Sequence, residues 1–134
     1  MTAAPPPVLA VADTSVLLAA FNRKDDDHER AVKALTRARI LVVSPLVLAE
    51  LDHLLTTRAG KAVAAAAVTR LGALARTGAL QIATVDGDLL ADPGTLNASL
   101  AWRLERPVLL STVQPPHPRD AQPPLEVIPG PATR

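Results

Sequence analysis

The chain has 134 residues, 49% of them hydrophobic, and its 14 Lys and Arg against 13 Asp and Glu leave a net charge of +1. That length suits one compact domain with a sizeable core and leaves none for a second. The near-neutral balance argues against a global basic field for nucleic acid, and the absence of cysteine excludes disulfides and thiolate metal sites and fits a reducing compartment. Eleven of the 14 cations are arginine, which suits phosphate contacts but follows equally from a GC-rich coding bias. The opening "MTAAPPPVLAVAD" lacks a basic stretch, and Asp13 interrupts its apolar run. Neither a signal peptide nor a membrane span is expected, and the cytoplasm is the expected compartment.

In chain order, Val8 to Ala12 reads as a strand and "SVLLAAFNR" as the start of a helix. "DDDHERAVKALTRA" opens with acids where the helix macrodipole favours them and puts Ala31, Leu35 and Ala38 on one face. "ILVVS", 40 to 44, is a second strand. Ser44 then caps, and Pro45 begins, a helix that Gly60 closes. "KAVAAAAVTRLGALARTG" is a further helix ended by Gly78, and "LQIATV" is a third strand. "TVDGD" reads as a turn. "TLNASLAWRLE" is helical, with Leu96, Leu100 and Leu104 in register, and "PVLLSTV" is a fourth strand. Strands alternating with helices predict an α/β fold: a parallel sheet of about four strands sandwiched by helices. The domain is expected over 1–113. Residues 114–134 hold seven of the 13 prolines and form a Pro-rich C-terminal tail, extended, with "LEVI" placed to touch the sheet edge.

Asp13 raises the functional question. A carboxylate ending an interior strand is costly unless its charge is compensated, and the carboxyl ends of strands are where open α/β sheets bind ligands. Glu50 borders the apolar stripe of its helix, with Val47 and Leu54 at i−3 and i+4. Alone it reads as a surface glutamate at the stripe's margin. Together with Asp13 it forms a pair of acids able to converge at one sheet edge, the arrangement that holds Mg²⁺ or Mn²⁺ through oxygen ligands. Asp25, Asp26, Asp27 and Glu29 read as a solvated helix start.

These residues resemble a family. "VADTSVLLAAF" with "VSPLVLAELDHLL" is similar to the opening of PIN-domain proteins, especially the VapC-type ribonuclease toxins of prokaryotic toxin–antitoxin pairs, and the resemblance covers about residues 8 to 113. It implies a parallel α/β sheet sandwiched by helices and Mg²⁺- or Mn²⁺-dependent cleavage of RNA phosphodiesters by an acidic cluster. Asp13 would be the first metal ligand, Thr14 or Ser15 a hydroxyl beside it, and Glu50 the second acid, so that Asp13 and Glu50 carry the catalysis. The resemblance further implies a cognate VapB-like antitoxin and a homodimer, expected to pair through the helices at 46 to 55 and 61 to 75.

The second half departs from the pattern. The family's third acid opens a helix as Asp-Ala-x-x-x-Ala-x-Ala-x-x-Leu, and a fourth ends the last strand. An ungapped alignment puts Gly94 and Val113 at those positions, and neither side chain binds a metal. Asp92 is the nearest acid and becomes the third ligand if the loop slips by two residues; otherwise it is a capping or loop carboxylate. Asn97 falls nearly a turn too late to replace the lost acid. His53 reads as a helical surface histidine, and Trp102 beside Arg103 as packing rather than a stacking surface. Two other functions fit the same residues. One is a degenerate PIN domain that binds without cutting. The other is a receiver-like domain with Ser111-Thr112 as switch hydroxyls, which would require its phosphoacceptor on a middle strand and an acidic pair on the first.

Overall fold

The computed structural model describes residues 8–91, 97, 100, 103–104, 108–111 and 125–127. Its strands are β1 (Val8–Ala12), β2 (Ala38–Val43), β3 (Leu80–Ile82), β4 (Val108–Ser111) and β5 (Leu125–Val127). The helices are α1 (Thr14–Phe21), α2 (His28–Arg37), α3 (Pro45–Ala59), α4 (Lys61–Thr77) and α5 (Gly87–Ala91). Every pairing is parallel, and the strand order is β3-β2-β1-β4-β5.

The sheet thus has one strand more than the four read from the sequence. The addition is "LEV", which runs parallel to β4 with Leu109 opposite Leu125 and Ser111 opposite Val127. The third strand is only Leu80–Ile82, shorter than "LQIATV". Residues of "TVDGD" give a short helix rather than a turn, because the Asp86 carboxylate accepts the Leu89 amide at 2.9 Å and so caps α5.

Alternation along the central strands sends side chains to two separate cores. Ala10, Ala12, Leu41 and Val43 pack on one face against Leu17 of α1, Leu51 and Leu55 of α3 and Ala67 and Leu71 of α4. Val11 and Val42 pack on the other against Leu89 of α5 and Leu100. Burial on both faces explains why β1 reads as a continuous apolar run, with Ala10, Val11 and Ala12 all fully buried. Helix α1 is buried along Val16–Ala19 for a related reason: it lies on the sheet and packs against both α2 and α3. Among the described residues no helix is long and apolar enough to cross a membrane.

Ser44 caps α3 as the sequence predicts, its hydroxyl accepting the Leu46 amide at 3.1 Å with Pro45 in the first turn. Gly60 alone joins α3 to α4, at φ 98° and ψ 163°, a backbone region essentially reserved for glycine. Gly78 ends α4 in the left-handed conformation, and the Ala79 amide returns to the Leu74 carbonyl at 3.0 Å. These contrasts make a direct test. Gly60→Ala should destabilise the fold by about 1–3 kcal/mol through backbone strain alone. Gly72→Ala sits inside α4, where a methyl meets only Arg76 Nη1 at 3.9 Å, and should stabilise by about 0.5–1 kcal/mol. Urea unfolding of both variants measures the difference, and a loss at Gly72 equal to that at Gly60 contradicts the assignment.

Candidate functional site

The strand order reverses at β1. The chain runs outward through β2 and β3 on one side, then returns to pair β4 with β1 on the other. Such a reversal leaves a crevice outside the carboxyl ends of the two strands, the usual ligand position in open parallel sheets. Asp13 stands there. Its amide donates to the Leu110 carbonyl of β4 at 3.0 Å, and the pairing Ala12 with Leu110 brings Asp13 level with the end of that strand. On the other side Val11 pairs with Val42, so Asp13 and Ser44 both lie two residues beyond a paired position. Helices α1 and α3 therefore start side by side.

The Asp13 carboxylate is half-buried and held by several donors. Oδ1 accepts the Thr14 amide at 2.7 Å, and Oδ2 accepts the Ser15 hydroxyl at 3.4 Å. Asp13 thereby caps α1, and the positive end of that helix compensates part of its charge. Of the two hydroxyl residues named from the sequence, Thr14 is buried and Ser15 is the one whose oxygen reaches the carboxylate.

The third donor comes from a residue the sequence reading set aside. Asn97 Nδ2 donates to Asp13 Oδ1 at 3.0 Å, across 84 positions of chain. The expectation that Asn97 comes a turn too late is therefore corrected. An ungapped alignment assumes a fixed spacing between this helix and the last strand, and the contact of Asn97 with Asp13 does not follow that count. The signal was present: Asn97-Ala98 is the amide counterpart of the Asp-Ala pair that opens the family's third motif. Asn97, Leu100 and Arg103 are all helical.

Glu50 lies on the second turn of α3, exposed, about 9 Å along the helix axis from its Ser44 cap at 1.5 Å per residue. It makes no hydrogen bond to Asp13. His53, one turn on, is exposed as expected. Asp92, Gly94, Trp102, Thr112 and Val113 lie outside the described residues.

A cation of the Mg²⁺ or Mn²⁺ class requires oxygen donors. Asp13 supplies a carboxylate, and Asn97 supplies a buried Oδ1 that has no hydrogen-bond partner among the described residues. In kind, this donor set fits a hard divalent cation. In charge it is thin: among the described residues no three His, Cys, Asp or Glu side chains form a metal-binding group.

The helical segment carrying Asn97 is anchored twice. Leu100 is buried beside Val11 and Val42. Arg103 makes a two-pronged ion pair with Asp86, Nη1 to Oδ2 at 3.2 Å and Nη2 to Oδ1 at 3.1 Å.

Comparison with known proteins gives a consistent picture. Residues 10–92 match the PIN domain. A stretch of 51 residues is 47% identical to ribonuclease VapC26 of Mycobacterium tuberculosis, covering 37% of this chain and 38% of that protein. The crystal structure of Mycobacterium tuberculosis VapC20, a sarcin–ricin loop cleaving toxin, aligns with a TM-score of 0.50 at 26% identity over 71% of this chain and 65% of that one. The aligned chain thus spans about two fifths of the curated relative and less than two thirds of the solved one. The family match stops at residue 92, short of Asn97 and β4.

The Arg103 guanidinium, followed by the Leu89 amide, holds the Asp86 carboxyl below the ordinary value of 3.8. A lowered folded-state pKa means that the pair contributes stability above the ordinary value and loses it as pH falls through the lowered one. The carboxyl carbon of Asp86, followed by NMR, should titrate below 3.8, and Arg103→Gln should move its midpoint upward. An unchanged midpoint in that variant contradicts the ion pair.

Proposed function

The chain belongs to the PIN-domain family, and from that premise we propose that it is a metal-dependent ribonuclease of the VapC toxin type, hydrolysing RNA phosphodiesters and neutralised by a cognate VapB-like antitoxin. The observation that carries this reading is Asp13: a carboxylate at the carboxyl end of the central strand, at the switch point, that accepts hydrogen bonds from the Thr14 amide, the Ser15 hydroxyl and the Asn97 amide. The ribonuclease and toxin identities of the two relatives support it.

In this reading Asp13 and Glu50 are the acidic ligands for Mg²⁺ or Mn²⁺, with Asp92 as the proposed third. When bound, the ion would neutralise the scissile phosphate, lower the pKa of a water and stabilise charge during in-line attack. The protein's own part is orientation. The Thr14 amide, the Ser15 hydroxyl and the Asn97 amide fix the Asp13 carboxylate before any ligand arrives, which reduces the rotamer entropy lost on binding. The exposed position of Glu50 leaves it open to ligand or water.

A second reading, a PIN domain that binds without cutting, is favoured by one observation: the side chain that meets Asp13 is an amide where the family pattern has an acid. A Mn²⁺ titration separates the two. Saturating Mn²⁺, at about 100 times Kd, should stabilise the unaltered chain by about 2.7 kcal/mol. RNA should be cleaved only with the metal present. Asp13→Asn keeps the capping oxygen and should abolish both effects. Equal Mn²⁺ responses in the two proteins contradict the metal site, and metal binding without cleavage of any RNA leaves the binding module as the better account.

For self-association, the proposed surface is α3 with α4. Leu48, Leu51, Leu55, Ala67, Leu71 and Ile82 line an apolar groove of about 220 Å³ between these helices and the edge strand β3. Leu46 and Val68, each 55% exposed, lie on the same two helices, and exposed apolar area on adjoining elements favours a partner surface. Light scattering at high micromolar concentration should give the mass of a homodimer. Val68→Glu changes an exposed residue, so it should yield a folded monomer; an unaltered dimer removes this surface from the proposal.

A further inference from the structure

We propose that the chain carries a second RNA contact at the amino end of the sheet, where Lys33, Arg39 and Arg76 bind phosphates of the RNA backbone. The proposal takes its ligand from the ribonuclease reading above and uses none of the residues around Asp13.

Charge is unevenly distributed along the chain, although the total is only +1. Residues 30–85 hold eight Lys and Arg against two acids, Glu50 and Asp52, and both of these lie on α3. Arg30 is paired with Asp27. Lys33, Arg39 and Arg76 are exposed, and among the described residues none of the three forms an ion pair.

The fold brings these cations to one end of the sheet. Ala38 pairs with Val8 at the start of both strands, so Arg39 stands about 15 Å from the level of Asp13, at about 3.3 Å per residue. The Leu41 amide donates to the Ala79 carbonyl at 2.8 Å, which sets the last turn of α4, with Arg76, beside the start of β2. Lys33 lies one turn before the end of α2, which runs directly into β2. Asp25, Asp26 and Asp27 precede the other end of α2, and Glu29, one turn before Lys33, makes no ion pair with it among the described residues.

Arg39 is placed by an irregularity in the sheet. Val8 is opposite Ala38 and Leu9 is opposite Ile40, so Arg39 is an extra residue of β2, a bulge of the kind that redirects a side chain. Counting back in twos from Val43 and Leu41, both in the larger core, would put Arg39 on that face. The bulge gives the face to Ala38, which packs there, and leaves Arg39 exposed. The dipole of α4 is reason enough for Arg76 in its last turn, but it does not account for an arginine on a strand. Phosphate suits the group better than a protein surface does. Protein interfaces have an apolar centre, and Leu46, Ile82 and Leu90, each more than half exposed, follow the carboxyl ends of the strands instead. Separate exposed cations match the repeating charge of a nucleic-acid backbone.

The test measures binding of a labelled 20-nucleotide single-stranded RNA to the full chain by fluorescence anisotropy, in chelator, from 50 to 200 mM salt. Three phosphate contacts on a single strand contribute about −2 to the slope of log K against log salt. The triple variant Lys33→Gln, Arg39→Gln and Arg76→Gln should therefore lose about 2 from that slope and bind about tenfold or more weakly at the lowest salt. A control variant, Arg58→Gln, Lys61→Gln and Arg70→Gln, removes the same charge from exposed positions elsewhere on α3 and α4 and should change the slope little. Equal losses in the two variants make the effect one of net charge and overturn the proposal, while Mn²⁺-dependent cleavage by the unaltered chain keeps the ribonuclease reading. Binding of polyglutamate in place of RNA by the unaltered chain, lost in the first variant only, makes this a protein-binding face and overturns it as well. Absence of RNA binding at every salt concentration also overturns it. Should the triple variant not fold, Arg39→Gln decides alone: a slope reduced by about 0.7 supports the contact, and an unchanged slope removes it.

Discussion

An ionised carboxylate at the end of a strand buried on both faces must be met by donors, and in this protein three separate parts of the chain meet around that requirement. Asp13 follows Ala10, Val11 and Ala12, all fully buried. Its oxygens take the first amide of α1, a hydroxyl one residue further and an amide from the segment before β4. Its own amide is held by the carbonyl of Leu110. The end of the central strand, the start of the central helix and the return of the chain to β4 are thus tied at one point. Burial gives these bonds their strength, because a donor lost there would not be replaced fully by water.

The two cores serve the same point from opposite sides. The larger one presses α1, α3 and α4 onto Ala10 and Ala12, small residues that let Leu17 and its neighbours lie close to the sheet. The smaller one, Val11, Val42, Leu89 and Leu100, seats the segment that bears Asn97. Leu100 completes the second core three residues after Asn97, whose amide meets the Asp13 carboxylate.

The electrostatics differ from those of a site crowded with acids. The α1 cap and the Asn97 amide both donate to Asp13, and the exposed ion pair of Asp86 with Arg103 fastens the start of α5 to the helical residue at 103. The Thr14 amide, the Ser15 hydroxyl and the Asn97 amide are fixed dipoles aimed at the Asp13 carboxylate.

Sequence patterns were enough for the local elements and for the family. Apolar runs ending at Asp13 and Ser44, the Ser44-Pro45 helix start and the glycines at 60 and 78 are short-range signals, each set by neighbouring backbone chemistry, and each appears in the structure at the stated position. The motifs around Asp13 and Glu50 lie inside the matched region, 10–92. What local signals could not settle depended on distance in the chain. The sequence placed "LEVI" at the sheet edge, but its parallel pairing with β4 as a fifth strand needed the edge of a sheet already formed. The short helix α5 depended on the Asp86 cap and on Leu89 finding the second core. Asn97 is the clearest case. Counting residues back from the last strand placed it a turn away from Asp13, because counting assumes a connection of fixed length. In the structure Leu100 is buried under the sheet and the Asn97 amide lies 3.0 Å from the carboxylate. A contact spanning 84 residues is decided by how the layers close on one another, which no window of sequence contains.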